Sequence, residues 1–573
     1  MRFPWIGLAL IAECTNAFTP ISRIHGIVAH KPNLKRARKT PTTQSKSLRR
    51  IQTNVQKTPI DDGPEGAPTP SGSAAAWLQT EVLGGIEPSF EVAAICTVYF
   101  VQGALGIASL ATAFFLKNEL GLGPAESAAL LGVTTTPWVI KPVYGFLSDA
   151  VPLFGYRRRS YLALAGLVGS ASWATMGLAS NTPTQACVAL TLASLGTAVA
   201  DVVVDSIVVE RARDSCSGSS DTASDASSYT HDGEADNDTD EGAAGALQSL
   251  CWGSASLGSV ASAYASGALL TVVPPRTVFE GAAFFPLLVA AISLVLEEER
   301  VDSARGSTVS ESTSNTASGN LADGTTAVAE ISSLSVKVDT NEVTWQAVLR
   351  DRTSLIWSAL SQKSVWVPVL FLFCWKATPS AGDAFFYFLT GPTEAGALGF
   401  GPEFMGRVSL AGALASLGGV VLYQRFLRTL PPQVVLQWTA LAALPFGLAQ
   451  VVLALHWNRA WGLPDEWLAV GDDVALSVLG QVGFMPTLVL AAKLCPPGVE
   501  GTLFALLMST YNGAGILGRE LGAGLTSVAG VDSSHFDALP QLLGACALTS
   551  LLPLPFLSIL DATTAEDDDS PVE

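Results

Sequence analysis

Twelve apolar runs, each long enough at roughly 20 residues to cross the hydrocarbon of a bilayer, recur between residues 90 and 560 and leave this chain few ways to fold. They fall at 91–116, 125–148, 160–180, 184–208, 244–271, 279–296, 365–390, 403–427, 433–456, 472–494, 499–527 and 537–560. With 49% hydrophobic and only 14% charged residues over 573 positions, the chain is too apolar for an ordinary soluble protein. The predicted class is an all-α polytopic membrane protein with about 12 transmembrane helices in two six-helix bundles. The N-terminal bundle covers 90–297 and the C-terminal bundle 363–561, with a polar Ser/Thr-rich linker at 298–362. Glycine is dense enough in the fifth and eleventh runs to predict broken or kinked helices.

An internal repeat divides the chain at the same place. Leu120-Gly-Leu-Gly-Pro124-Ala-Glu126, before the second run, returns as Leu398-Gly-Phe-Gly-Pro402-Glu403-Phe404 before the eighth. Each Gly-Pro ends a loop and opens a helix, with an acid in the first turn to complement the dipole. Basic residues set the orientation. Arg157, Arg158, Arg159, Arg211, Arg213, Arg425, Arg428 and Lys493 follow even-numbered runs, against Lys117, Arg276 and Arg459 near odd-numbered loops. The even-loop face is therefore the cytosol-equivalent side, and both termini lie on it.

Outside the runs the chain is polar. Residues 1–20 contain a short apolar run, 3–12, with the form of a signal peptide, and 21–80 begin as a basic, Ser/Thr-rich stretch of transit-peptide composition and end in a linker. With Asn16-Ala-Phe18-Thr-Pro20 at the junction, the pair resembles the bipartite plastid address of algae with complex plastids; a secretory signal with a disordered basic tail is the alternative. The net charge of −18 describes loops, because half of the acids lie in 214–241, 297–351 and 561–573. The first of these is an acidic insert predicted to be disordered, and 562–573 form an acidic tail. Eight scattered cysteines without a CxxC spacing suggest no disulfide framework and no metal site.

Ionisable residues inside a span each need a partner, water or a function, since exposure to hydrocarbon costs roughly 2.5–3.5 kcal/mol on insertion scales. Lys141 sits in the second run between Pro137 and Pro142, which free backbone carbonyls. Asp201 and Asp205 are one turn apart in the fourth run, Lys376 and Asp383 two turns apart in the seventh, and Arg519 and Glu520 interrupt the eleventh. On a functional reading the cationic Lys141, Lys376 and Arg519 bind an anionic substrate in a site that includes Asp383, while a carboxylate among Asp201, Asp205 and Asp383 carries a coupling proton. On a structural reading Asp149, Arg157, Arg158, Arg159, Asp205, Glu210 and Arg211 form an ion-pair lattice that gates the cytosol-equivalent side. Among aromatics near the expected cavity (Trp138, Trp252, Phe373, Trp375, Phe385, Phe386 and Tyr511), Trp138 and Trp375 stand within three residues of an intramembrane lysine. Stacking plus a cation suits a flat heterocycle with an acidic tail.

The loop after the second run, Gly145-Phe-Leu-Ser-Asp149 then Gly155-Tyr-Arg-Arg-Arg159, resembles the loop between helices two and three of the major facilitator superfamily, whose two six-helix halves are related by a parallel repeat. The segments 137–149, 151–160, 200–213, 247–253, 377–381 and 398–404 jointly resemble one branch of it, the folate-biopterin transporters, and most of all the plant and algal members. The resemblance implies a monomeric carrier of folate or a related pterin anion, proton-linked, working by alternating access in a plastid envelope, with lipid as its surroundings and no nucleic acid, cofactor or metal. Plasma membrane or endomembrane is the alternative location. Other carriers, of an amino acid or nucleobase, and a receptor or scaffold are the competing functions; a catalytic constellation and a P-loop are both missing from the sequence. A fluorescent fusion of residues 1–80 is expected to reach the plastid, and retention in the secretory system would reject the plastid address.

Overall fold

The structure is a computed structural model that describes residues 89–218, 238–296, 298, 300, 362–493 and 500–557. The segments expected at 1–20, 21–80 and 562–573, and nearly all of the linker, lie outside the described residues. The described residues form twelve membrane-crossing elements, six on each side of the linker. In the first half these are α1 (Phe90–Glu119), α2 (α2a, Pro124–Thr134, and α2b, Lys141–Ala150), α3 (Arg159–Leu178), α4 (Pro183–Gly218), α5 (Asp238–Leu270) and α6 (Pro275–Ser293). The second half contains α7 (α7a, Lys363–Lys376, and α7b, Gly382–Thr390), α8 (Pro402–Leu427), α9 (Pro432–Ala454), α10 (Asp465–Lys493), α11 (Glu500–Val528) and α12 (Leu539–Phe556). The expected acidic insert at 214–241 is narrower than its composition suggests, since α4 continues to Gly218 and α5 starts at Asp238.

Proline opens many of these helices, at Pro124, Pro183, Pro275, Pro402 and Pro432, where its missing N–H is not needed. The sequence repeat is also a repeat of backbone shape. Gly121 and Gly399 have φ of +62° and +70°, and Gly123 and Gly401 precede their prolines in the same extended conformation. Glycine is required at the first of each pair because a side chain there meets the steric cost of the left-handed region.

Eight of the twelve elements are long and apolar enough to cross a membrane on composition alone. The other four are α2, α5, α7 and α11. They make the contacts between the two halves, α2 and α11 against each other, α5 on α8 and α7b on α2a. An element facing protein rather than lipid can carry breaks and small polar residues.

The expected breaks in the fifth and eleventh runs do not occur: both helices are continuous. Their glycines serve close packing instead. A Cβ on Gly267 of α5 would lie 2.5 Å from the Cα of Gly406 on α8, and one on Gly258 would lie 2.3 Å from the carbonyl of Phe100 on α1. On α11, a Cβ at Gly518 would approach the carbonyl of Thr378 to 2.7 Å, and Gly522 lies as tightly against Ser380. The interruption is in the partner, α7, at 377–381 around Pro379. There the Ser380 N–H donates to the Gly518 carbonyl at 3.2 Å, so α11 satisfies backbone that α7 leaves open. Leucine at Gly267 is expected to destabilise the packed halves by about 1–3 kcal/mol, read as a lower thermal midpoint of the detergent-solubilised protein; an unchanged midpoint would show that α5 and α8 separate freely.

Candidate functional site: a cavity between the halves

A cavity of about 1490 Å³ lies between the halves, and Trp138, Trp375, Lys376, Asp383, Tyr511 and Arg519 contribute to its wall. Three local structures bring them there. The 3-10 turn Thr136–Trp138 interrupts α2. The α7 break turns Lys376, at the end of α7a, and Asp383, at the start of α7b, toward the same space. The uninterrupted α11 supplies Tyr511 and Arg519.

Helical spacing over the seventh run, which put Lys376 and Asp383 two turns apart on one face, does not apply, because residues 377–381 are not helical. Their charges are handled separately. Asp383 accepts from Arg519, with Nε 3.0 Å from Oδ2 and Nη2 3.5 Å from Oδ1. The Lys376 ammonium lies 5.3 Å from the ring centroid of Tyr511, and among the described residues no carboxylate comes within 4.0 Å of it. A cation held by an aromatic face alone retains most of its capacity for an anion.

Lys141, Asp201 and Asp205 are not in the cavity wall. Lys141 makes an ion pair with Asp201 and lies 4.4 Å from the ring centroid of Trp138, so it supports a wall residue from behind. Asp205 accepts a hydrogen bond from the Tyr99 hydroxyl of α1. One turn apart on α4, the two acids thus have different partners on different helices.

One end of the cavity, on the odd-loop face, is closed by contacts from the first half to α7b. The Lys117 ammonium donates to Thr390 Oγ1 at 2.6 Å. Tyr387 donates its hydroxyl proton to the Leu122 carbonyl at 2.7 Å, and the same oxygen accepts from Ser127 at 2.7 Å. Phe114 packs edge-on against Phe386 with centroids 5.4 Å apart.

The even-loop face differs from the lattice expected there. Of the three arginines grouped with Asp149 there, Arg158 is its partner at 2.6 Å, and Ser148 Oγ lies 3.2 Å from the same guanidinium nitrogen. Asp205 takes no part, being held by Tyr99, and the side chains of Glu210 and Arg211 lie outside the described residues. The organiser is Glu298, which accepts from the backbone N–H groups of Arg157 at 2.6 Å, Arg158 at 3.0 Å and Arg159 at 2.8 Å. A carboxylate there occupies the anion-binding N-terminus of α3. Arg159 in turn donates to the Leu294 carbonyl. All these contacts stay within the first half and tie α2b, α3 and the end of α6 together.

Sequence reasoning missed Tyr99, Lys117, Ser127, Tyr387, Thr390 and Glu298. In the sequence Lys117 serves only as a topology marker, and Glu298 sits in a run of three glutamates with the composition of a solvated linker edge. The hydroxyl partners carry no signal of their own, because their roles depend on a neighbour far away in the chain.

Most of the chain also matches a known family. Residues 102–231 and 229–572 match the BT1 family. The chain belongs to the BT1 family. A Synechocystis protein named folate-biopterin transporter is 43% identical over 487 residues, covering 85% of each chain. The Arabidopsis thaliana protein named probable folate-biopterin transporter 2 is 29% identical, covering 76% of this chain and 75% of its own length. Among solved structures, the nucleoside transporter NupG superposes with a TM-score of 0.56 at 11% identity, covering 82% of this chain and 99% of NupG. A bacterial homologue of the lysosomal transporter Spinster, inward-facing and unoccupied, superposes with a TM-score of 0.53 at 14% identity, covering 85% of this chain and all of that one. The fold of this BT1 protein is that of the major facilitator superfamily, and its relatives are membrane transporters, not enzymes.

The buried Lys141–Asp201 pair of the BT1 chain gives a separable test. Lys141→Met leaves Asp201 without its counter-charge and is expected to cost about 3–5 kcal/mol. Adding Asp201→Asn should recover most of that loss in thermal unfolding; a double variant no more stable than the single would show that the two charges are not coupled.

Proposed function

We propose that this protein is a secondary active transporter that moves folate or a related pterin anion across a membrane by alternating access, coupled to protons. The observation that carries the reading is the wall of the central cavity, where Lys376, with no carboxylate within 4.0 Å among the described residues, lies beside Tyr511, and Trp138 and Trp375 line the same space. A pterin ring stacks on such faces, and the carboxylates of a folate tail meet Lys376 and Nη1 of Arg519, the guanidinium nitrogen that Asp383 does not take. The cavity exceeds the roughly 300–1,000 Å³ of an ordinary ligand pocket, so it has room for ligand and water together. The printed names of the cyanobacterial and plant relatives support the substrate class.

In this reading substrate reaches the cavity from the even-loop face, while the Lys117–Thr390 and Tyr387–Leu122 bonds hold the other end shut. The reverse state breaks those bonds and brings the even-loop ends together. There Asp149, Arg157, Arg158 and Arg159, with Glu210 and Arg211, form the gate. Asp201 and Asp205, flanking the first-half wall, are the carboxyls that exchange the coupling proton. The address in residues 1–80 supports a plastid envelope, and the protein works as a monomer with one cavity between its halves.

The test is uptake of labelled folate and pterins into proteoliposomes under an imposed pH gradient. Saturable uptake is expected, and Lys376→Met should weaken apparent affinity roughly 10–100-fold, the value of a hydrogen bond to a charged group. No saturable uptake of any pterin, beside clear uptake of an amino acid or nucleobase, would overturn the substrate class and leave the fold untouched.

A further inference from the structure

Two adjacent carboxyls on α10 take no part in the cavity wall or in the contacts that close its odd-loop end. Asp465 and Glu466 occupy the first turn of α10. Asp472 and Asp473 come two turns later, roughly 10 Å along the axis at 1.5 Å per residue, inside the span rather than at its edge. Asp472 is 4% exposed. Its Oδ2 accepts a 2.7 Å hydrogen bond from Gln450 Nε2 on α9, and its Oδ1 is buried with no partner. Asp473 is partly buried against α8, where Gly412 leaves room for it: a Cβ at that glycine would lie 2.4 Å from Oδ2 of Asp473.

No cation balances them among the described residues. No ion pair within 4.0 Å involves either carboxyl. α9 has no ionisable residue from 432 to 454. On α8, Glu403 and Arg407 pair with each other on the outside, and Arg425 and Arg428 lie at the far end. Arg459, before α10, is bound to Asp465, and Arg519 on α11 is engaged by Asp383. The Glu520 side chain on α11 faces Gly132 of α2 instead.

A bare carboxylate in this place would be a buried, uncompensated charge with only one neutral donor. A neutral carboxyl carries no charge to balance: its carbonyl oxygen accepts from the Gln450 amide, and only an uncharged O–H at Oδ1 is left without a partner. Gln450 itself lines the central cavity and Asp472 does not, so one side chain separates the acid from cavity water. Both residues stand near the odd-loop end of their helices, the end that Tyr387 and Lys117 close.

We propose that Asp472 is a proton-binding site, distinct from Asp201 and Asp205, that holds a proton while the odd-loop face is closed and exchanges it with water, past Gln450, when that face opens. The step moves one proton between the carboxyl oxygen and water and changes no other bond. Only the flux arm of its test rests on the transport function proposed above.

Infrared difference spectra of the full chain in liposomes, recorded across a pH titration, should show a buried carboxylic acid C=O band that disappears as carboxylate bands grow. Asp472→Asn should lack that band, and its persistence would overturn the proposal. Should Asp472→Asn fold poorly, Gln450→Leu keeps the acid and removes its donor; the band should then shift in frequency, and an unshifted band counts against the site. With labelled pterin, Asp472→Asn should lose at least tenfold in substrate-driven proton uptake while retaining substrate exchange; wild-type proton uptake would overturn the proposal. If the wild-type protein carries no pterin, the function proposed above fails, and the spectra still decide the proton site.

Discussion

Backbone left open inside a bilayer has no water to bind, and the arrangement of this molecule turns on how one such opening is closed. The break in α7 at 377–381 exists because α11 lies against it with glycines and a carbonyl in place. Close that break into a regular helix and Lys376 and Asp383 would leave the positions from which both now face the cavity. Remove the glycines of α11 and the break has no partner. The site is therefore made by a pair of elements, one interrupted and one uninterrupted, neither of which is suited to face lipid.

Charge follows the same logic at longer range. Asp201 has Lys141, Asp383 has Arg519 and Asp149 has Arg158, so the acids of the first two pairs are neutralised within the span and the third at its rim. Against that background several groups are held without an opposite charge, among them Lys376 with an aromatic face, Asp205 with a tyrosine hydroxyl and Asp472 with an amide. A membrane protein keeps an unbalanced charge-bearing group where something mobile is to balance it.

Much of this was legible in the sequence because hydropathy and turn chemistry are local. The twelve runs, the six-and-six division and the Gly-Pro repeat needed only the length of a bilayer and the conformational limits of glycine and proline, and Gly121 and Gly399 adopt the left-handed turns the repeat requires. Glycine density does not break α5 or α11, since the same residue that loosens a helix also lets two helices touch, and only the partner decides which. Pairing was harder still. Asp149 selects Arg158 among three adjacent arginines, and Tyr387 reaches Leu122 across 265 positions of chain. Hydropathy hides Asp472, because the apolar run begins there, whereas Asp465 and Glu466 start the helix a full two turns earlier.

Glu298 gives the even-loop face a mechanical property. By holding three successive N–H groups at the head of α3, it fastens the chain leaving α6 to a different helix from the one it has just left. A pull exerted on residue 298 by the chain beyond it is borne by α3 and, through Arg158 and Asp149, by α2b, so the connection between the halves leaves the first half from a three-helix anchorage rather than from a single fraying helix end.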